Sequence, residues 1–210
     1  MYKLIVSVQN VLVKIEVSVL NRGFFGEPQT RILCANTQES YEAFCEITTV
    51  STGQLYGGKI CAALNRQHPR DMFEVKFLLE NEGFNKEIRA GFILMLLCSE
   101  RPIHEMLDAP LLDQRTAFEN QFEGMTAEEF TYEEYEQTRL DLIEIVNREL
   151  TDEDKQFLLR FKDLDLDWSL YPFSKFPGVK WKLLNLDKLK ANNPDKHAEL
   201  LNKLKEVLKV

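Results

Sequence analysis

The sequence has few of the residues that build metal sites and covalent frameworks. Its four cysteines, Cys34, Cys45, Cys61 and Cys98, show no paired C-x-x-C spacing, so neither a zinc site nor a disulfide scaffold is expected. Each is read as a small buried hydrophobe. Of the three histidines, His68, His104 and His197, no two are spaced as metal ligands. The longest apolar run, residues 90–98, is about half the ~20 residues that cross a bilayer. Met1-Tyr2-Lys3 opens a strand-like pattern where a signal sequence would carry charge and then an apolar stretch, so a cytoplasmic location without a membrane span is expected. No excess of basic residues is present either. Lys+Arg number 26 against 34 Asp+Glu, a formal charge of −8, which argues against a surface that grips nucleic acid indiscriminately. No repeat of fixed period and no low-complexity tract occurs. What remains is 210 residues, 44% of them apolar, enough to bury a core as one domain or two small ones.

The period of the apolar residues changes along the chain. Residues 4–8 and 11–19 alternate in the manner of a β-hairpin, with Val13, Ile15 and Val17 on one side and Lys14, Glu16 and Ser18 on the other. After the glycine and proline clusters at 21–28, two shorter extended segments are expected near 30–34 and 43–50. From Ser51 onward three- and four-residue steps take over. Thr52 can cap a helix to Arg66, His68-Pro69 starts another that runs to Glu82, and Gly83 stops it. Further helices are expected at 85–99, 132–150, 151–162, 179–191 and 194–208, with Thr151 as a cap and an acidic first turn behind it. Residues 171–178, with Pro172, Pro177 and Gly178, read as the clearest linker.

Several groupings carry chemistry in one reading and none in another. Lys14 and Glu16 on a polar strand face are explained by a solvated sheet with a cross-strand ion pair. In the first long helix Tyr56, Lys59, Ala63 and Arg66 share a face, and Gly57-Gly58 would let a backbone or a ligand come close beside Lys59. A cation beside small residues suits phosphate. The glycines do not form a G-x-x-x-x-G-K-[ST] loop, however, and spacing alone favours a solvated lysine. Asp71, just after Pro69-Arg70, is explained by the helix dipole, or by an Arg-Asp pair that orients a neighbouring lysine. The acidic run Glu128, Glu129, Glu133, Glu134 and Glu136 is a solvated helix start or a docking face for a basic partner.

Four segments, KIEV at 14–17, LYGGKICAALNRQHPRDMFEVKFLL at 55–79, RPIHEML at 101–107 and WKLLNLDKLKANNP at 181–194, together resemble the AbiEii/AbiGii toxin family of nucleotidyltransferases. The similarity runs from the first strand to the last helix. It implies an α+β fold: a partial DNA-polymerase-β-like nucleotidyltransferase sheet with packed helices over residues 1–83, followed by a mostly α-helical domain over 84–210. It further implies transfer of a nucleotide from a nucleoside triphosphate with Mg²⁺, in toxin-antitoxin and abortive-infection systems.

Carried over residue by residue, the resemblance makes Lys59 and Asp71 the catalytic pair. Lys14, Lys59, Arg66 and Arg70 would bind the triphosphate, and Glu16 would be a metal-side carboxylate. Phosphoryl-group transfer needs this combination of metal-bridging carboxylates and cations for the leaving pyrophosphate. The family's Gly-Ser followed by Asp-x-Asp does not occur before KIEV, and the string Asp163-Leu164-Asp165-Leu166-Asp167 follows a helix end and reads as a turn. With one carboxylate where three are expected, Mg²⁺ would be held weakly. The expectation is therefore a C-terminal portion of such a transferase, inactive alone: a truncated product, a chain with a misplaced start, or the second half of a split protein whose missing N-terminal segment is a separate chain. The alternative is a non-catalytic module that binds an antitoxin through its helices. An exposed strand edge would favour a homodimer. A tRNA acceptor follows from the family resemblance only.

Overall fold

The computed structural model describes residues 2–8, 11–17 and 23–210. Alternating β-branched residues form the first hairpin, in which β1 (Tyr2–Val8) pairs antiparallel with β2 (Val11–Val17). Leu4 lies opposite Ile15, Val6 opposite Val13 and Ile5 opposite Lys14. Strand alternation puts Leu12 on the Lys14 face, across from Ser7, so that face is mixed rather than polar. Ser18 and Val19, expected to continue the strand, and the side chain of Glu16 lie outside the described residues. Leu4, Ile5, Val11 and Leu12 are 59 to 72% exposed, because the hairpin's extensive contacts among the described residues are between its own strands.

A second antiparallel pair, β3 (Gln29–Ile32) and β4 (Glu46–Thr49), forms where two extended segments were expected. Between them runs α1 (Ala35–Tyr41), which sequence pattern does not mark because the helix buries no residue and so has no apolar stripe. Cys34 and Cys45 flank it and are exposed, contrary to the expectation for them. Cys61 and Cys98 are buried as expected.

The helical part begins at α2 (Thr52–Arg66), capped by Ser51 one residue earlier than expected, with its hydroxyl accepting from the Gln54 amide. Helix α3 (Pro69–Asn81) starts with Pro69 in its first turn and ends before Gly83, which adopts φ +65°. In α4 (Lys86–Cys98), Ile88 and all residues from 91 to 98 are buried. A helix apolar on every side belongs in the middle, and α2, α5 and α9 surround it. The approach of α2 is close enough to exclude a side chain. A methyl group on Gly91 would fall on the Gly53 carbonyl, and one on Gly57 would fall on the Gly91–Phe92 peptide, so two backbones touch at this crossing.

Two short helices, α5 (Ile103–Leu107) and α6 (Arg115–Gln121), lead to α7 (Tyr132–Arg148) and α8 (Asp152–Asp163). Each of the latter opens with a reciprocal capping box, Thr131 with Glu134 and Thr151 with Asp154. The acidic string that follows α8 is a turn, with Leu164 at φ 67° and Arg160 bonded to both Asp165 and Asp167 at 2.9 Å. The expected linker is packed rather than loose: Phe173 is fully buried and Tyr171 stacks on it at 5.0 Å. Aromatic area outweighs the local proline signal here. Helices α9 (Pro177–Asn192) and α10 (Pro194–Leu208) complete an α+β architecture whose apolar core runs unbroken from α2 to α10. Among the described residues, no helix is long and apolar enough to cross a membrane.

Candidate functional site

The turn between α2 and α3 positions the residues singled out from sequence. Gln67 takes a left-handed conformation, φ 51°, and is fully buried. Four groups from later in the chain hold it. The Tyr135 hydroxyl donates to its backbone carbonyl at 2.8 Å, and its side-chain amide donates to the Pro110 carbonyl at 2.8 Å. Its side-chain oxygen accepts from the Leu112 amide at 3.0 Å and from Arg139 at 3.2 Å. A buried polar residue satisfied on every side fixes the corner it occupies. That corner sets Arg66 at the end of α2 and Asp71 in the first turn of α3.

Removing the Tyr135 hydroxyl tests this support. Tyr135→Phe leaves a buried carbonyl without its donor, and a loss of about 1–3 kcal/mol is expected in urea unfolding. Burial pushes the Tyr135 hydroxyl up to about 12, from an ordinary value of 10.0. Its contribution is therefore whole below pH 10 and is lost as the pH rises to about 12. That share of the alkaline loss should be absent from Tyr135→Phe. A variant as stable as the native chain would show that the corner does not depend on this bond.

Two cation–carboxylate pairs lie side by side on the facing surfaces of α2 and α3. Arg66 donates to Asp71 Oδ1 at 2.8 Å, and Lys59 Nζ reaches Glu74 Oε2 at 2.6 Å. Lys59 and Arg66, seven residues apart, share one flank of α2. The two pairs differ in burial. Asp71 has a side chain only 7% exposed, and its Oδ2 has no hydrogen-bond partner among the described residues, whereas Lys59 and Glu74 are each more than a third exposed. A surface ion pair is worth about 0–1 kcal/mol, so Lys59 can exchange Glu74 for another anion at little cost. A buried carboxylate oxygen with no donor retains its full capacity to accept one.

Beside this flank lies an open cavity of about 680 Å³, lined in part by Gly58, Ala62, Asn65, Arg66, Glu100 and Arg101. Gly58 faces open space, while Gly57 one residue earlier is in contact with α4. Of the two uses that spacing left open for this glycine pair, close backbone approach is what Gly57 serves.

The structure thus pairs Arg66 with Asp71 and Lys59 with Glu74, and shows no contact between Lys59 and Asp71 among the described residues. Arg70 is exposed and, among the described residues, joins neither pair. Lys14 is exposed on β2, and Glu16, on the same strand, pairs across the hairpin with Lys3 in register. Glu74 is the site residue that sequence reading missed. Its signal was its position three residues after Asp71, on the same side of α3. Among the described residues, no group of three or more His, Cys, Asp or Glu is placed to hold a metal ion.

No curated protein and no solved structure matches the chain. The family model described as nucleotidyl transferase AbiEii toxin, type IV toxin-antitoxin system, matches residues 2–183. That span contains both ion pairs, the corner at Gln67 and the cavity beside them. The chain therefore belongs to the AbiEii nucleotidyl transferase toxin family.

Proposed function

We propose that the α2–α3 surface binds the triphosphate of a nucleoside triphosphate, as the recognition half of a toxin nucleotidyltransferase. The observation that carries this reading is the pair of cations on one flank of α2, with Lys59 held among the described residues by one partly exposed carboxylate, beside a cavity of about 680 Å³. Ligand cavities usually have volumes of ~300–1,000 Å³, so a nucleoside fits in scale. In this reading Lys59 leaves Glu74 to meet phosphate oxygens, and Arg66 and Arg70 supply further positive charge. Lys14 approaches from the hairpin. Asp71, with one oxygen already oriented by Arg66, takes the catalytic carboxylate role.

Transferases of this family generally use Mg²⁺ with the nucleotide. Mg²⁺ prefers several oxygen ligands in octahedral geometry, and the described residues do not fit it. Asp71 is buried against Arg66, and Glu74 faces Lys59. Glu16 remains the proposed metal carboxylate, with the other donors to come from outside the described residues. Nucleotide binding without efficient transfer is accordingly the behaviour we propose for this chain by itself. As a type IV toxin it would be matched by an antitoxin, and a cytoplasmic location fits that role.

Calorimetry of the full chain with each nucleoside triphosphate, with and without Mg²⁺, tests the reading. Saturable binding is expected, weakened about tenfold or more by Lys59→Ala, equivalent to the loss of one charge-assisted contact. If the native chain binds no nucleotide, or Lys59→Ala binds as well as native, the surface is structural and a helical antitoxin-binding module becomes the better account.

A further inference from the structure

A second cavity has no part in the nucleotide reading. It lies between α5, α8, α9 and α10 and has a volume of about 170 Å³. Its walls include the side chains of Ile103, Leu186, Leu189, Leu200 and Leu204. Two lysines, Lys162 from α8 and Lys182 from α9, also line it, and both are 6% exposed. Lysine is among the residues least often buried without a partner.

The two ammonium groups are not equivalent. Lys182 Nζ donates to the Ser99 and Arg101 carbonyls at 2.6 and 2.7 Å. The Lys162 ammonium has neither a hydrogen bond nor an ion pair among the described residues, although its residue is more than nine-tenths buried. Its own carbonyl is engaged by the His197 ring at 2.9 Å, which anchors the backbone at this position. His104, also on the cavity wall, adds no negative charge. The carboxylates that act on the two ammonium groups are Glu100 on the wall, Glu105 on α5 and Asp163 beside Lys162, and among the described residues none of them bonds to either ammonium.

We propose that this cavity is a binding site for a small apolar carboxylate, its charge placed between Lys162 and Lys182 and its body among the leucines. Each part of the ligand follows from a part of the wall. Two like charges on one cavity wall, in residues that are largely buried, are relieved by one anion between them. Burial, with the Lys162 charge second, pushes Lys182 down to about 8, so it still carries its proton at neutral pH. The apolar walls require a body that prefers leaving water. The volume sets the size. A cavity of ~150 Å³ holds a benzene ring, so the body here is about six carbons. Glu100 at the wall disfavours a second negative charge and with it a phosphate dianion.

Isothermal titration calorimetry of the full chain with sodium hexanoate and sodium benzoate tests the site, with 1-hexanol as the neutral isostere and inorganic phosphate as the apolar-free anion. Saturable binding of one carboxylate per chain is expected. It should be at least tenfold weaker for hexanol and for phosphate, and at least tenfold weaker in Lys162→Met. Leu189→Trp, which fills the cavity and keeps both lysines, should abolish binding, and it provides the test if Lys162→Met fails to fold. Lys59→Ala should leave carboxylate binding unchanged, so failure here and failure of the nucleotide reading are separate results. No saturable binding, equal binding of hexanol or phosphate, or undiminished binding in the cavity variants would overturn the proposal.

Discussion

Replacing Gly91 with alanine is expected to lower the unfolding free energy by about 3 kcal/mol, at the upper end of what overpacking a core costs. The atoms that the new methyl would meet are the Gly53 carbonyl and the Gln54 amide, all backbone. A side chain in the way can change rotamer, but a helix backbone can only move as a body. To admit the methyl, α2 must lift off α4 along its length, and the contacts of Ile60, Leu64 and Phe92 are loosened together. Gly57→Ala, whose methyl meets the Gly91–Phe92 peptide, should behave alike. Gly58→Ala provides the contrast. Among the described residues nothing lies within 4 Å of its added carbon, so the change should raise stability by about 0.5–1 kcal/mol through helix propensity alone. Urea unfolding followed by circular dichroism would measure all three. Equal effects at Gly57 and Gly58 would rule out the close crossing.

Asp154→Ala is the second large effect expected, a loss of about 3–5 kcal/mol, because it removes one member of a buried charged network and leaves the other uncompensated. Asp154 is 1% exposed. Its carboxylate accepts from the Tyr171 hydroxyl at 2.6 Å and from the Thr151 amide at 2.9 Å, and it faces Arg89 Nε at 3.1 Å. One side chain thus closes the capping box of α8, joins α8 to α4 and fixes the aromatic segment before α9. Asp154→Asn should recover part of the loss by keeping the oxygen that serves the cap, while Arg89 still lacks its counter-charge. Asp152, two residues earlier, has a side chain 99% exposed, and its alanine variant should change stability by less than about 0.5 kcal/mol. Thermal unfolding of the three variants decides it, and an Asp154→Ala protein as stable as Asp152→Ala would refute the network.

These positions show what the sequence makes legible and what it does not. The long helices were readable because each has an apolar stripe and a polar start such as Thr151 or His68-Pro69, signals confined to a few neighbouring residues. Helix α1 escaped because it lies on the surface without a stripe, and α5 and α6 because one or two turns are too short to show a period. The pairing of Arg66 with Asp71 was within reach as an Arg-Asp alternative, but the sequence pointed equally to Arg70, which is exposed. Glu74 was missed because a glutamate on a helix surface is ordinarily solvated, and only the approach of α3 to α2 gives it Lys59. Lys162 and Lys182 look like helix-surface lysines in the same way. Their burial depends on α5, α8, α9 and α10 meeting, which no local window contains. Gln67 is the extreme case, a polar residue at a helix end whose side-chain partners are all more than forty positions away.

That distance has a consequence for the order in which the molecule can be made. Lys59, Arg66 and Asp71 leave the ribosome early, but the Tyr135 and Arg139 that lock the corner between them follow 68 and 72 residues after Gln67. Chains form structure from the N-terminus as they are synthesised. A nascent chain ending before α7 would hold every candidate residue of the α2–α3 site and neither of the two side chains, Tyr135 and Arg139, that bond to Gln67. The geometry in which a nucleotide could be recognised therefore arises late in synthesis, once α7 has docked against α3.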